Sequence, residues 1–423
     1  MTPREINCGD GMKITPDLNR LLNELETLAS FSDAPAPAVT RVVFSPQDLA
    51  ARAYLREILS AAALELRTDA VGNTFARWAG ADPNLPAVAT GSHTDAVPHA
   101  GRYDGTVGVL GGLEAIRALQ RSGFRPRRSI DLLVFTSEEP TRFGIGCLGS
   151  RMLSGALSPE NARLLKDGDG NSLKEILQQA GLDGTLENVR LPNTFYHGFI
   201  ELHIEQGPLL ERKGIPVGIV TAIAAPATLR VRIEGSGGHA GAVLMPDRRD
   251  AFLAAAEIAL AVESAAKATR SVDSVATTGV CSVFPGAVNS IPSRAVLEID
   301  VRDTDLGRRD GMLSAIRAAC EAIGVKRQLR VEIDLINADA PAQASPLITE
   351  ALSASCQAIG IEFMFMVSRA YHDSLFLSRI APTGMIFIPC RNGISHRPDE
   401  YASPEDINRG VQVLASALAQ LAQ

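Results

Sequence analysis

Apolar and polar positions along the first half of the chain switch between two periods. Ser45, Pro46 and Asp48 supply a helix cap, a proline at the first helical position and an acid in the first turn, opening the amphipathic segment DLAARAYLREILSAA. AVAT (87–90) reads as a short apolar strand. GTVGVLGGLEAIRALQRSG reads as a helix whose small residues let it lie close to a sheet, stopped at Gly123. IDLLVF (130–135) is apolar without a break, as a strand covered on both faces should be, whereas FIELHI (199–204) alternates more. Strand–helix–strand order of this kind predicts parallel βαβ units in an α/β layer. Near the start, MKITPDLNRLLNELETL reads as one amphipathic helix, which makes Met12 an alternative first residue.

Past about residue 218 the texture changes. TLRVRIEG (228–235) has period two and is followed by the Ala-rich helix DAFLAAAEIALAVESAAKA. The strands SVATTGVCSV and RAVLEIDVRD, the helix GRRDGMLSAIRAACEAIG and the strand QLRVEIDLI come next. That order predicts a ferredoxin-like α+β layer with one sheet face open to solvent. SPLITEALSASCQAIG, MIFIPC (385–390) and PEDINRGVQVLASALAQLA then resume the first pattern. The expected organisation is an α/β domain made of residues 1–217 and 333–423, interrupted by an inserted domain over 218–332.

Composition narrows the function classes. A chain of 423 residues that is 46% hydrophobic supports large buried cores, so disordered and disulfide-stapled classes are excluded. A net charge of −7 without a basic block argues against nucleic acid and anionic lipid as partners. Six widely spaced cysteines without a CxxC pair predict free thiols in a reducing, cytoplasmic setting. No signal-peptide core is visible, and no apolar run approaches the roughly 20 residues of a membrane span.

Chemistry-bearing residues gather directly after apolar strands. AVAT runs into Gly91-Ser92-His93-Thr94-Asp95 and on to Asp104; IDLLVF runs into Thr136-Ser137-Glu138-Glu139; FIEL runs into His203-Ile204-Glu205-Gln206; MIFIPC runs into Asn392-Gly393-Ile394-Ser395-His396. In open α/β sheets ligands bind beyond the carboxyl ends of strands, so these segments can converge. Each alone is bland, since a lone His-x-Asp is usually a surface pair and a Glu-Glu a solvated face. Imidazole nitrogen and carboxylate oxygen are ligands that divalent first-row metals accept together. His93, Asp104, Glu139, His203 and His396 suffice for a two-metal site with one bridging carboxylate. Glu138 is then left free beside the site, where a general base belongs. Asp95 can accept the second imidazole N–H of His93 and orient the ring. His239, in Gly237-Gly238-His239-Ala240-Gly241, sits on a flexible turn that can bring an imidazole to a ligand.

GSHTDAVPHAGRYDG, FTSEEPTRFGIGCLGSR, ELHIEQGPLLE, GGHAGAVLMPDRRDA, NSIPSRAVLEIDVRD and GMIFIPCRNGISHRPDE together resemble the hydantoinase/carbamoylase branch of dimetal amidohydrolases, from about residue 40 to the end. The resemblance implies a metallo-exopeptidase-like catalytic domain with a mixed, mainly parallel sheet and an inserted ferredoxin-like lid that makes a homodimer. It implies one metal on His93, Asp104 and His203, a second on Asp104, Glu139 and His396, and manganese as the usual activator. Mixed nitrogen and oxygen ligation by itself admits zinc or cobalt equally. It further implies Asn289 and Arg302 on a substrate carboxylate, Gln206 on the substrate, and His239 on the oxyanion, with the neighbouring subunit a possible donor of that ring. The bland readings are a turn-capping Asn and a strand-edge Arg.

SRAYHDSLFLSRIAPTGMIFIPC is most similar to the branch acting on ureidoglycolate. Carbamoylases and allantoate amidohydrolases usually carry Gly-Ala-Gly-His-Asp where this chain has Arg369-Ala370-Tyr371-His372-Asp373. Tyr371 fills pocket volume and adds a hydroxyl, which favours a small hydroxylated ureido acid; His372-Asp373 reads as a structural hydrogen-bonded pair or as part of the site. The expected activity is hydrolysis of a linear ureido acid, (S)-ureidoglycolate first and N-carbamoyl-L-amino acids or allantoate as alternatives. A catalytically silent dimer would not need all five ligands and a base, and a true peptidase fits poorly with His203 and Gln206 in ELHIEQG. His99 and His197 belong on the surface, Ser150 lacks a nucleophile elbow, and Cys147 and Cys390 read as buried packing residues.

Overall fold

The computed structural model describes residues 6–8 and 12–423. Two compact units divide the chain: Met1–Thr221 with Gln343–Met366 and His372–Gln423, and Ala222–Ala342 with Val367–Tyr371. The boundaries differ from the expected 217/218 and 332/333. Of the strand Val217–Ile223, the residues up to Thr221 lie in the first unit, where Gly218, Ile219 and Val220 pair with Phe387, Ile386 and Met385 of Thr383–Ile388. A cut at 332/333 would split Arg330–Ala338, a strand of the second unit's sheet.

The first unit is organised on a nine-stranded mixed sheet. Thr383–Ile388, Tyr196–Ile204, Ala87–His93 and Ile130–Phe135 run parallel in that spatial order. Antiparallel strands flank this parallel centre: Val217–Ile223 on one side, Thr74–Trp78 and Glu65–Thr68 on the other. Successive residues of the central strands feed opposite faces. Ile130, Leu132 and Val134 enter one core, with Leu202, Ile388 and the helices Thr106–Arg121 and Pro404–Leu421. Leu133 and Phe135 enter a second core with Phe199, Leu148 and Leu173. Tyr196–Ile204, although its FIELHI stretch alternates more than IDLLVF, is also covered on both faces and only His197 is partly open.

Local signals explain the element ends. Ser45 Oγ accepts the Asp48 N–H at 3.2 Å and Pro46 opens the helix Pro46–Ala61. The expected single helix from Met12 does not form. Met12–Ile14 is a strand paired with Ile6–Cys8, and the helix Leu18–Ser30 begins after Pro16, where Asp17 accepts the Arg20 N–H.

The second unit follows the β-α-β-β-α-β order. Its antiparallel sheet runs Val275–Phe284, Arg294–Asp303, Ala225–Glu234, Arg330–Ala338, the arrangement of a ferredoxin-like layer. The helices Ala251–Ala268 and Leu306–Arg327 cover one face. Arg294–Asp303 alternates between buried and part-exposed positions, as its period-two pattern requires.

Small residues bring the Thr106–Arg121 helix against the sheet. A Cβ built on Gly108 would lie 2.3 Å from the Leu202 carbonyl oxygen, and one on Gly112 would lie 2.8 Å from Leu132 Cδ1. Gly108→Ala gains about 1 kcal/mol of helix propensity, yet overpacking of this kind costs about 1–3 kcal/mol or more where backbone must move. The variant is expected to unfold at lower urea concentration than the parent, opposite in sign to the propensity effect.

Candidate metal centre

Polar residues lie at or just beyond the carboxyl ends of all four parallel strands, and they meet. His93 closes Ala87–His93, Glu138 and Glu139 follow Ile130–Phe135, and His203 lies one residue before the end of Tyr196–Ile204. Ser395 and His396 follow Thr383–Ile388 after the short turn Arg391–Gly393. Asp104 enters from the loop that precedes the Thr106–Arg121 helix.

Asp104 lies at the centre. Its Oδ1 is 3.1 Å from His203 Nε2 and 3.5 Å from His93 Nε2. Its Oδ2 is 3.2 Å from His396 Nε2, which stands 3.1 Å from Glu139 Oε1. Two triads thus share one carboxylate: His93, Asp104 and His203, and Asp104, Glu139 and His396. The ring nitrogens facing away are held by backbone carbonyls, His93 Nδ1 by Asp95 at 3.0 Å and His203 Nδ1 by Ile204 at 2.9 Å. Those bonds place the neutral ring's proton on Nδ1 and turn a bare Nε2 toward Asp104. Gly105 has φ +65°, and a Cβ there would stand 2.4 Å from His93 Nε2, filling the space in front of that nitrogen.

Charge is concentrated here. Burial alone would raise the Asp104 pKa, but hydrogen bonds from His203, His396 and His93 hold it well below the usual range. Burial likewise disfavours a charged His93, yet Asp104 and Asp95 hold its pKa well above the ordinary value. Asp104 and Glu139 push His396 up to about 11. Glu138 is raised well above the usual value by burial, opposed by His93 and reinforced by Glu139, Asp373 and Asp104. Carboxylate oxygens that hold protons on facing imidazoles are a donor set that dications satisfy by replacing those protons.

Asp95 acts through a different atom from the one expected. Its carbonyl is the nearer acceptor for His93 Nδ1, the carboxylate Oδ1 lying 3.6 Å away. The carboxylate oxygens instead accept the backbone N–H groups of Glu138 at 3.2 Å and Glu139 at 3.1 Å, tying the two acids to the end of the neighbouring strand. Gln206 donates to Asp104 Oδ2 at 2.7 Å, while its own Oε1 is buried without a hydrogen-bond partner.

Several supporting groups escaped the sequence reading. Ser395 Oγ lies 2.7 Å from Asp104 Oδ2 and 2.9 Å from Glu400 Oε2, and Glu400 Oε1 accepts the N–H groups of Tyr103 and Asp104 at 2.8 and 3.1 Å. Burial pushes the Glu400 carboxyl up to about 7. Glu201, fully buried, accepts from Ser92 Oγ and from the N–H and Oγ of Ser374. His372 and Asp373, which the sequence did single out, also lie here: His372 packs its ring against that of His203, 4.5 Å between centroids, and Asp373 accepts from Ser150 Oγ at 2.5 Å. Cys147, expected to be simple packing, places Sγ 3.4 Å from Glu138 Oε1. Left-handed backbone at non-glycine residues recurs around the centre: Ser137 (φ 53°), Cys147 (φ 56°), Gln206 (φ 54°) and His396 (φ 57°). Each such residue costs about 1–3 kcal/mol unless its surroundings hold it in place.

The remaining candidates belong to the second unit, with Tyr371 at its edge and His372 in the first. His239 Nδ1 accepts the Gly241 N–H at 3.1 Å, which leaves Nε2 to carry the proton. The strand Gly238–His239 pairs with Ser290–Ile291, and the Ala240 N–H reaches the Asn289 carbonyl at 2.9 Å. Arg302 is oriented by Asp300 Oδ1 at 2.7 Å and by the Arg369 carbonyl at 3.3 Å, with its guanidinium carbon 6.0 Å from the Tyr371 ring centroid.

Comparison with known proteins agrees with this geometry. Residues 89–420 match the model of peptidase family M20/M25/M40. A ureidoglycolate hydrolase of Arabidopsis thaliana is 51% identical over 98% of this chain and 88% of its own length. An N-carbamoyl-L-amino acid amidohydrolase of Geobacillus stearothermophilus is 37% identical over 96% of this chain and 98% of its own. The crystal structure of AtUAH in complex with (S)-hydroxyglycine superposes with a TM-score of 0.88 at 51% identity, covering 97% of this chain and 98% of that one. By fold, motif order and full-length similarity, the chain belongs to the M20/M25/M40 family of dimetal-dependent hydrolases.

Proposed function

We propose that this hydrolase cleaves the ureido group of (S)-ureidoglycolate, releasing ammonia, carbon dioxide and hydroxyglycine, which decays to glyoxylate and a second ammonia. The observation that carries the reading is the pair of triads sharing Asp104 with Glu138 alongside. His93, Asp104 and His203 would hold one cation and Asp104, Glu139 and His396 a second, with manganese the proposed ion. Bound there, such ions supply Lewis acidity toward the ureido carbonyl and make water a better nucleophile at neutral pH.

The chain's own residues do the rest. Glu138, whose Oε2 is 3.9 Å from His93 Nε2, takes the proton of the attacking water and returns it to the leaving nitrogen. Burial and the neighbouring carboxylates raise its proton affinity, which suits a group that must take up a proton and then return it. His239 donates its Nε2–H to the carbonyl oxygen as charge develops there. Arg302 and Asn289 hold the substrate carboxylate, the planar fork of Arg302 being kept in place by Asp300. Gln206 orients the Asp104 carboxylate through its Nε2, and its unpartnered Oε1 is the atom left to meet the substrate. Tyr371 and His372 shape the remaining wall and favour a small hydroxylated acid over N-carbamoyl amino acids or allantoate.

A homodimer is part of the proposal, with His239 reaching a neighbouring subunit's site. The second unit presents the edge strand Val275–Phe284, with Val280 and Phe284 exposed, and Phe252, Leu253 and Leu260 exposed on the adjacent helix. The five described free cysteines support a reducing, cytoplasmic setting. Among the described residues no helix is long and apolar enough to cross a membrane.

Ammonia release from ureidoglycolate, N-carbamoyl amino acids and allantoate, measured with added manganese, should be highest with ureidoglycolate and should stop on chelation; chelator-resistant turnover would refute the metal assignment. Glu138→Gln should keep its bound metal and lose about 10²-fold or more in kcat, the scale of a general base; near-normal turnover would remove Glu138 from that role. Tyr371→Gly should shift the preference toward the bulkier substrates, and an unchanged ranking would discard Tyr371 as a selector.

A further inference from the structure

Among the described residues Cys147 is fully buried, unbridged and absent from every group able to hold a metal. It nevertheless grips Glu138 twice. Its backbone N–H donates to the Glu138 carbonyl at 2.8 Å, and its Sγ lies 3.4 Å from Glu138 Oε1 with geometry for an S–H donor. Two further rungs, Leu148 N–H to the Ser137 carbonyl at 2.9 Å and Gly149 N–H to the Thr136 carbonyl at 2.8 Å, fasten the same two segments. Glu138 Oε2 faces His93. The two oxygens of the carboxylate are therefore unequal, one occupied by the thiol and the other turned to the reacting groups.

The backbone makes the side chain's presence meaningful. Cys147 has φ 56° and ψ 36°, a left-handed conformation in which glycine is the unstrained choice. The chain carries a side chain there all the same. A thiol is a weak donor, so it can fix the rotamer of a carboxylate while withdrawing little of the charge that makes the carboxylate basic.

We propose that Cys147 is a positioning residue, its S–H holding Oε1 of Glu138 so that Oε2 is aimed at the reacting water. This rests on Glu138 being the base. The test compares Cys147→Ala, Cys147→Gly, Cys147→Ser and Glu138→Gln in the manganese-loaded full chain with ureidoglycolate. Cys147→Ala and Cys147→Gly should lower kcat about tenfold, the equivalent of one lost hydrogen bond to a charged group, with KM and metal content unchanged. Cys147→Ser, which restores a donor, should recover most of the rate. In the infrared difference spectrum of parent minus Cys147→Ala, the S–H stretch should lie below that of an unbonded thiol. A kcat within twofold of the parent in both Ala and Gly variants overturns the proposal, as does an unbonded S–H frequency or a loss confined to KM or metal content. If Glu138→Gln itself turns over normally, the base assignment fails and the proposal with it. An inactive Glu138→Gln beside fully active Cys147 variants defeats the positioning role alone.

Discussion

Mutual repulsion of carboxylates in a buried space is the constraint to which the rest of the centre answers. Asp95, Asp104, Glu138 and Glu139 all lie below a tenth exposure, where like charges interact far more strongly than in water and desolvation disfavours each of them. Asp104 tolerates this because three imidazoles surround it. Asp95 tolerates it by spending both oxygens on backbone N–H groups. Glu138 has less compensation, and its proton affinity rises accordingly. A pair of dications is the natural counter-charge for such a set, which is why the same acids that would destabilise an ordinary core define this one.

The scaffold delivers that arrangement through few devices. Parallel strands place their carboxyl ends side by side, so residues remote in sequence arrive on one edge of the sheet. Glycine at 105 lets the backbone lie directly against the His93 ring, and carbonyls hold the far nitrogens of His93 and His203. Left-handed residues at 137, 206 and 396 turn the chain sharply just where a side chain must be re-aimed.

Much of this was legible in the sequence because its signals are local. His93, Glu138, Glu139, His203 and His396 each sit within a few residues of an apolar run, and period-two spacing marked the second unit's strands. What could not be read depends on partners far away along the chain. Ser395 and Asp104 are separated by 291 positions and Ser92 and Glu201 by 109, and no local pattern distinguishes these hydroxyls and acids from surface ones. The grip of Cys147 on Glu138 is short in sequence, but a buried cysteine looks like packing until its neighbour's carboxylate is located. The edge of the insertion is hidden for a similar reason: Val217–Thr221 is held in the first unit through Thr383–Ile388, which lies beyond the whole insertion.

The parallel centre also orders events in time. One triad draws on His93, Asp104 and His203, which all leave the ribosome before the inserted unit, whereas the other waits for His396, which follows it. During translation the shared Asp104 meets its early partners long before the late one. The two halves of the centre are thus unequal in birth order even though they share a carboxylate: a nascent chain holds every residue of the first triad well before it completes the second.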